Sequence, residues 1–349
     1  MARINKISGA SLCAAALAGL LGTAAFAGDI SGAGATFPAP VYSKWAEAYK
    51  KETNVGLNYQ SIGSGGGIKQ IEASTVTFGA SDKPLELKDL EANGLVQWPM
   101  IIGGVVPTVN IQGVKPGELM LDGPTIADIY LGAITKWNDA RIKALNPSLT
   151  LPNQAIAPVY RSDGSGTNFL FTTYLSTVSP KFKSDVGADA SVSWPTGLGA
   201  KGNEGVSAMI GRTDGAIGYV EYAYVTQNKM TYAKVKNRDG KVVAPEIKAF
   251  QAAAANADWS KAPGYYLILV DQPGAASWPI TGASFILMHK QVKDAEDALT
   301  ALKFFSWAYA KGDKMAEDLD YVPLPDNVVG MVEKTWSGIT ANGKPVWTK

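Results

Sequence analysis

Three short segments of the chain place glycine beside serine or threonine just before an apolar helical pattern. They are GAGATFPAP (residues 32–40), SIGSGGGIKQI (61–71) and YRSDGSGTNF (160–169). The first turn of a helix has unpaired N–H groups and about half a positive charge, so it attracts anions. Glycine lets the backbone approach a ligand, and hydroxyl groups add donors. Ordinary capping explains one such segment, but three in one chain favour a shared anion site.

Charged residues near these segments refine that interpretation. Arg161 and Asp163 are two residues apart, so the carboxylate can hold the guanidinium in one orientation for a fork-like contact. Asp82, in FGASDKPL, has no cationic neighbour in the sequence except Lys83. A carboxylate suits an anion site if it accepts a hydrogen bond from a ligand that keeps a proton, which favours phosphate over sulfate. Capping of a following helix is the alternative role for Asp82, and the sequence leaves both roles open.

The motifs of nucleotide-binding proteins and of serine hydrolases do not fit these segments. GAGATF ends at Phe37 and therefore fails the pattern G-x-G-x-x-G, and GSGGGIKQ fails G-x-x-x-x-G-K-[ST]. The only histidine, His289, is predicted to end a strand, and no G-x-S-x-G surrounds Ser64 or Ser165. We therefore predict a binding protein that is not an enzyme and has no cofactor or metal.

Three alternatives stay open at this point. The ligand could be another small oxyanion such as sulfate, or the protein could be a phosphatase with an all-carboxylate metal site. A sugar- or peptide-binding protein would use tryptophans as stacking platforms, with Trp45, Trp137 and Trp307 as the candidates. Packing in the core is the commoner role for tryptophans at such positions.

The first 27 residues have the composition of a secretory signal sequence. Arg3 and Lys6 precede a short Ala/Leu-rich run that ends in the small-x-small sequence AFA at residues 25–27. The run is short for a membrane anchor. Cys13, the only cysteine, lies within it, so the mature chain has no disulfide and no cysteine ligand. We predict a protein of the periplasm.

The charge balance argues against polyanionic partners. The chain has 32 Lys and Arg residues and 31 Asp and Glu residues, and loss of Arg3 and Lys6 with the signal leaves a net charge of −1. A surface for nucleic acid or anionic membrane needs a basic excess. An anionic ligand would therefore be held by local geometry.

The elements that must position these residues alternate between β-rich runs and amphipathic helical stretches, as in an α/β protein. The length of 349 residues fits about two domains. Two apolar strand-like segments, residues 100–110 and 278–290, are predicted to be where the chain changes lobe. We predict a discontinuous first lobe of residues 28–105 and 281–349, and a second lobe of residues 106–280.

Six segments, taken in order, resemble the periplasmic phosphate-binding proteins of the high-affinity phosphate ABC transporter. They are GAGATFPAPVYSKWAEAYKKET, NYQSIGSGGGIKQI, FGASDKPL, DGSGTNF, GAIGYVEYAY and LKFFSWAY. The resemblance covers essentially the whole mature chain. It implies a two-lobed α/β fold of the Venus flytrap, type II-like form, with the ligand between the lobes. It also implies a monomer that binds inorganic phosphate and delivers it to an ABC transporter permease in the inner membrane.

The same resemblance implies a set of phosphate-binding residues, all of them present in this chain. They are Thr36, Phe37, Ser64, Asp82, Arg161, Asp163, Ser165, Gly166 and Thr167. In this set Asp82 accepts the proton of phosphate and Asp163 steadies Arg161. Two positions depart from the family: Gly65 stands where relatives often have a second serine, and Thr77 replaces an acid. We expect neither to touch the ligand.

Overall fold

A computed structural model describes residues 28–348, so the predicted signal sequence lies outside the described residues. The strands are β1 (Ile30–Gly34), β2 (Leu57–Ser61), β3 (Phe78–Ser81), β4 (Leu95–Val109), β5 (Met120–Asp122), β6 (Ala157–Arg161), β7 (Leu198–Ala200), β8 (Ala216–Glu221), β9 (Thr231–Tyr232), β10 (Lys234–Lys236), β11 (Val242–Val243), β12 (Thr281–His289), β13 (Thr340–Ala341) and β14 (Lys344–Pro345). The helices are α1 (Ala39–Thr53), α2 (Ser64–Glu72), α3 (Leu87–Ala92), α4 (Gly123–Tyr130), α5 (Ala140–Leu145), α6 (Gly166–Val178), α7 (Pro180–Asp185), α8 (Gly202–Arg212), α9 (Tyr222–Gln227), α10 (Ile247–Ala254), α11 (Ala295–Lys311), α12 (Asp313–Glu317) and α13 (Asp326–Trp336). None of the helices within residues 28–348 has both the length and the apolar character that a membrane span requires.

The central sheet follows the strand order β2-β1-β3-β12-β4-β8-β6-β7, and β9 adds to β4. Strands β1, β2 and β3 are parallel, and so are β6, β7 and β8. Strand β12 runs antiparallel to both β3 and β4. Parallel strands connected by helices give the α/β alternation that the sequence predicts.

Strand β4 joins two halves of this sheet. Its residues 95–104 pair with β12, whereas residues 105–109 pair with β8. We call β1, β2, β3, β12 and the start of β4 the first half-sheet, and the end of β4 with β6, β7 and β8 the second half-sheet. Both long strands are buried along nearly their whole length, which explains their near-continuous apolar sequences. They overlap the apolar segments predicted at 100–110 and 278–290.

Helix α1 begins at the end of the glycine-rich segment at residues 32–40, and its buried face includes Val41, Trp45 and Tyr49. The indole N–H groups of Trp45 and Trp137 donate to backbone carbonyl oxygens at 3.0 Å, and both rings are buried. Trp307 is half-buried, and its indole N–H donates to Glu52. Trp45 and Trp137 therefore pack in the core, as their commoner role suggested.

Helix α2 packs directly on the backbone of the first half-sheet through Gly67. A Cβ atom at this position would lie 2.5 Å from Gly34 Cα, 2.6 Å from the Ala33 oxygen and 2.9 Å from the Ala80 oxygen. These are backbone atoms of β1 and β3, which cannot move aside as a flexible side chain can. The glycine therefore sets how closely the start of α2 approaches the sheet.

We expect Gly67→Ala to lower the free energy of unfolding by roughly 1–3 kcal/mol, the usual cost of forcing an extra methyl group into a packed interface. The matched control is Gly330→Ala in α13, where a Cβ atom meets nothing within 4 Å. There the alanine should stabilise the helix by about 0.5–1 kcal/mol. Urea unfolding monitored by circular dichroism measures both values, and equal effects of the two substitutions would contradict this account of α2.

Candidate functional site

The starts of α2 and α6 meet at Asp82, which directly follows β3. The hydroxyl oxygen of Ser64 accepts the backbone N–H of Asp82 at 3.2 Å and that of Gly166 at 3.0 Å. Gly166 belongs to the second half-sheet side and is 102 residues distant in sequence from Ser64. Both acceptor positions of the Ser64 hydroxyl oxygen are thus occupied, so this hydroxyl can bind a further group only by donating its hydrogen.

Glycine is required where the two sides approach. A Cβ atom on Gly166 would lie 2.5 Å from the Asp82 Cβ and 2.7 Å from its Cα. A Cβ atom on Gly63, which caps α2 with φ of 89°, would lie 2.2 Å from an Asp163 carboxylate oxygen. These contacts bring two helix N-termini to one place, the arrangement that favours an anion.

The ion pair expected between Arg161 and Asp163 is present. Arg161 Nε donates to one Asp163 oxygen at 2.8 Å and Nη2 donates to the other at 2.6 Å. Asp163 also accepts the Gly202 N–H at 3.1 Å. Although burial by itself raises the pKa of Asp163, these hydrogen bonds and the guanidinium charge hold it below its ordinary value. Asp163 therefore stays ionised and fixes the guanidinium plane.

Asp82 and Arg161 are both buried, with 1% and 3% of their surfaces exposed. Asp82 Oδ1 and Arg161 Nη1 have no hydrogen-bond partner within the described residues. Burial raises the pKa of Asp82 to about 7, against the lowering effects of the Ser284 hydroxyl, the Arg161 charge and the Ser64 hydroxyl. The site thus offers one charged donor and, near neutral pH, one carboxyl acceptor.

Thr36 and Thr167 lie on opposite sides of the same site, and Asn203 joins them. The Asn203 side-chain N–H₂ donates to the Thr36 hydroxyl at 2.7 Å and to the Thr167 hydroxyl at 3.2 Å. The Asn203 backbone N–H also donates to the Thr36 hydroxyl, at 3.1 Å. All three residues are buried.

Phe37 contributes its backbone, because its side chain packs in the core beside Tyr321. Within residues 28–348 no acceptor is found for the Phe37 N–H. The Phe37 carbonyl oxygen lies 2.6 Å from the Tyr321 hydroxyl, which is also 2.8 Å from Glu221 Oε2. Burial raises the pKa of Glu221 well above its ordinary value, and a protonated Glu221 can donate to Tyr321 while Tyr321 donates to Phe37. This network holds the Phe37 peptide in place.

The start of α6 is partly used by the protein itself. The Ser165 hydroxyl caps the helix by accepting the Asn168 N–H at 3.0 Å, and the Ser165 N–H donates to the Ala190 oxygen at 2.9 Å. The Gly166 N–H is bound to Ser64. The Ser165 hydroxyl hydrogen and the Thr167 N–H, which lies in the first turn, remain as donors.

Two polar contacts close the rim of the site. Lys83 Nζ lies 2.6 Å from Asp189 Oδ1, and the Ser61 hydroxyl donates to Glu204 at 3.0 Å. Each contact joins residues from opposite sides of the site. Because these groups are partly exposed to solvent, each contributes about 0–1 kcal/mol. The buried contacts therefore dominate the closed arrangement.

The structure brings all nine residues predicted for the site into this one region. The alternative role of Asp82 as a helix cap is wrong, because α3 begins at Leu87 with Glu86 as its N-cap.

His289 ends β12, as predicted, and its ring lies 2.7 Å from the Ile71 oxygen beside a separate cavity of about 270 Å³. Thr77, one of the two departures from the family, also lines that cavity, and its hydroxyl is hydrogen-bonded to that of Ser31.

The other departure, Gly65, lies where the two sides meet. Its N–H donates to the Gly164 oxygen at 2.9 Å, and a Cβ atom there would lie 3.2 Å from Gly164 Cα. A serine at this position would therefore press on the facing loop.

Sequence reasoning missed Asn203, Glu221 and Tyr321. The segment AKGNEG around Asn203 is a fourth glycine-containing helix opening, where Gly202 has φ of 72°. That composition was a usable signal. Nothing local marks Glu221 or Tyr321, which lie 18 and 284 residues in sequence from their partners Asn203 and Phe37.

Comparison with known proteins first defines the class. Residues 22–311 match the PBP superfamily domain. The fold is similar to that of the phosphate-binding protein from Stenotrophomonas maltophilia, at 21% identity and a TM-score of 0.67 over 91% of this chain and 97% of that chain. It is also similar to a high affinity periplasmic phosphate-binding protein solved with phosphate, at 21% identity and a TM-score of 0.70 over 88% of this chain and 94% of that chain. The protein is a two-lobed α/β binding protein, as predicted.

Sequence relatives define the family more closely. The phosphate-binding protein PstS of Xylella fastidiosa strain 9a5c is 52% identical over 308 residues, which cover 88% of this chain and 85% of the relative. The PstS proteins of Haemophilus influenzae and Methanocaldococcus jannaschii are 50% and 36% identical, over 90% and 84% of this chain and 95% and 82% of the relatives. The chain belongs to the PstS family of phosphate-binding proteins, which confirms the resemblance seen in the sequence.

The raised pKa of Asp82 makes stability depend on pH. Between the ordinary carboxyl pKa of 3.8 and about 7, the folded chain holds a proton that the unfolded chain releases, so ionising Asp82 costs stability as the pH rises. Asp82→Asn removes this titration. Relative to wild type, its free energy of unfolding should rise by up to about 4 kcal/mol between pH 4 and pH 8.

Denaturant unfolding at several pH values, without added oxyanion, measures this difference. Asp89→Asn on the exposed face of α3 is the control for the loss of a carboxylate that is not buried. A difference between Asp82→Asn and wild type that does not vary with pH would show that burial does not raise the pKa of Asp82.

Proposed function

We propose that this protein binds inorganic phosphate between its two lobes and delivers it to a membrane ABC permease. The observation that carries the proposal is the pair of buried, unpartnered polar atoms, Asp82 Oδ1 and Arg161 Nη1. When Asp82 is ionised, a guest that satisfies both atoms must accept a charged hydrogen bond and also donate one. Phosphate near neutral pH does both, since it is an anion that retains a proton. Sulfate retains no proton and would face Asp82 as a like charge.

The phosphate-binding residues in this proposal are the nine predicted from the sequence. The hydroxyl groups of Thr36 and Ser64 and the N–H of Phe37 hold the anion from the first side. Arg161, kept in orientation by Asp163, binds it from the other side. The donors that complete the shell belong to Ser165, Gly166 and Thr167, with the Gly166 N–H shared with Ser64.

We also propose that binding is coupled to hinge closure. The first lobe comprises residues 28–105 and 281–349 and the second lobe residues 106–280. The change of partner on β4 between residues 104 and 105 supports these bounds. Rotation about the strands that link the half-sheets would open the site to solvent, and closure would replace the water shell of phosphate with protein donors.

The place of action and the partners complete the proposal. The protein acts as a monomer in the periplasm after removal of residues 1–27, and its closed form is recognised by an inner-membrane permease. The names of its relatives, all phosphate-binding proteins, support binding without catalysis. They give no support to a sulfate-binding protein or to a phosphatase.

A thermal-shift panel of oxyanions tests the function. Phosphate should raise the melting temperature because it binds only the folded state, and the rise should grow with its concentration. Sulfate at the same ionic strength should give a much smaller shift, and incubation with p-nitrophenyl phosphate should release no product. Equal shifts with both anions would favour a general oxyanion carrier, whereas sustained turnover would favour a phosphatase.

Arg161→Ala should weaken phosphate binding by roughly 10- to 100-fold, because a charge-assisted hydrogen bond is worth roughly 1.5–3 kcal/mol. Arg141 provides a matched control, since it also pairs with an aspartate two residues away, Asp139, but on the surface. Titration calorimetry should give wild-type affinity for Arg141→Ala. Unchanged affinity in Arg161→Ala would refute the role assigned to this guanidinium.

A further inference from the structure

Asn203 makes four hydrogen bonds from a fully buried position at the start of α8. Three of them go to hydroxyl groups, as described above, and two of those three reach Thr36. The fourth is accepted by the Asn203 side-chain oxygen from the Glu221 N–H at 3.0 Å. Asn203 thus contacts both sides of the site and the end of β8.

The bond from Glu221 decides which way the Asn203 amide faces. A backbone N–H can only donate, so the atom facing Glu221 must be the amide oxygen. The amide N–H₂ group must then face Thr36 and Thr167. The backbone N–H of Glu221 therefore fixes which end of the Asn203 amide is oxygen and which is nitrogen.

This orientation determines what the Thr36 hydroxyl can offer. A hydroxyl oxygen has two acceptor positions and one hydrogen. Asn203 fills both acceptor positions of Thr36, so the remaining hydrogen is left to donate. Ser64 is in the same condition through the N–H groups of Asp82 and Gly166. Both hydroxyl groups therefore suit a guest that accepts hydrogen bonds.

We propose that Asn203 is a positioning residue for anion binding, which sets the Thr36 hydroxyl as a donor, fixes the Thr167 hydroxyl through one hydrogen bond and holds the two lobes together around the ligand. This inference rests on the proposed function, and it goes beyond the nine residues assigned there. Asn203 acts through the two threonines and contributes no contact of its own to the anion.

Because Thr36 and Asn203 belong to opposite lobes, their hydrogen bonds form when the cleft closes. Loss of the Asn203 side chain should therefore speed opening more than it slows capture. Differences in affinity among variants of one site lie mostly in the dissociation rate, which agrees with this expectation. A side chain that served folding alone would change stability and leave both rate constants of the folded protein unchanged.

The test is stopped-flow measurement of phosphate association and dissociation with Asn203→Ala in the full chain. Two hydrogen bonds to hydroxyl groups are lost, so the dissociation rate should rise roughly 10-fold or more, with the association rate within about 3-fold of wild type. The control is Asn110→Ala, which removes three side-chain hydrogen bonds at the other end of α8. Its dissociation rate should equal that of wild type.

Two further variants keep the test decisive. Asn203→Asp preserves the size of the side chain and the oxygen that accepts the Glu221 N–H, but it lacks the amide N–H₂ group that donates to both threonines. Phosphate should therefore dissociate from this variant at least as fast as from Asn203→Ala. The aspartate variant also serves as the test if the alanine variant folds poorly. In a Thr36→Val background, Asn203→Ala should add less than its single effect, because the two residues act through one hydroxyl. Multiplicative effects, or a wild-type dissociation rate in Asn203→Asp, would overturn the inference.

The outcomes separate this inference from the proposed function. If the wild-type protein does not bind phosphate, the proposed function fails and the inference fails with it. If wild type binds phosphate tightly and the two Asn203 variants release it at the wild-type rate, the inference alone fails.

Discussion

Arg161 and Asp82 place opposite charges in the interior of the protein without a hydrogen bond between them. A buried ion that lacks a partner costs several kcal/mol, so such an arrangement is stable only if other groups compensate. Asp163 compensates Arg161 with a two-pronged contact, and burial raises the pKa of Asp82 to about 7, so the carboxylate that accepts a hydrogen bond is present only from near-neutral pH upwards. One atom of each residue is left to act on a guest. The glycines, hydroxyl groups and helix starts around them all serve this constraint.

The small residues of the site follow from the need to bring backbones together. Gly63 and Gly166 lack the Cβ atoms that would collide with Asp163 and Asp82, respectively. Ser64 then bridges two amide groups from opposite sides of the cleft with a single oxygen. A larger side chain at any of these positions would separate the helix starts, and the combined attraction of their N–H groups for an anion would fall.

Much of the local structure could be predicted from the sequence. The long apolar runs at 100–110 and 278–290 overlap β4 and β12, and strands that are buried along nearly their whole length suit such sequences. The pair Arg161 and Asp163 was predictable because two residues at this spacing can meet without help from the fold. Asp82 was harder to interpret, since a helix cap and an acceptor for a ligand proton are both compatible with the same local sequence. Its burial, which decides between them, depends on residues distant along the chain.

By itself the sequence determined the α/β alternation, the glycine-rich helix openings and the Arg161–Asp163 pair, because each depends on residues that are neighbours along the chain. Only the tertiary structure decided that the openings converge and that Asn203 links Thr36 with Thr167. Thr36 and Asn203 are 167 residues apart, and Asn203 and Thr167 are 36 apart. Contacts at such distances depend on how the two halves of the sheet fold against each other. A local pattern of residue types therefore cannot predict these contacts.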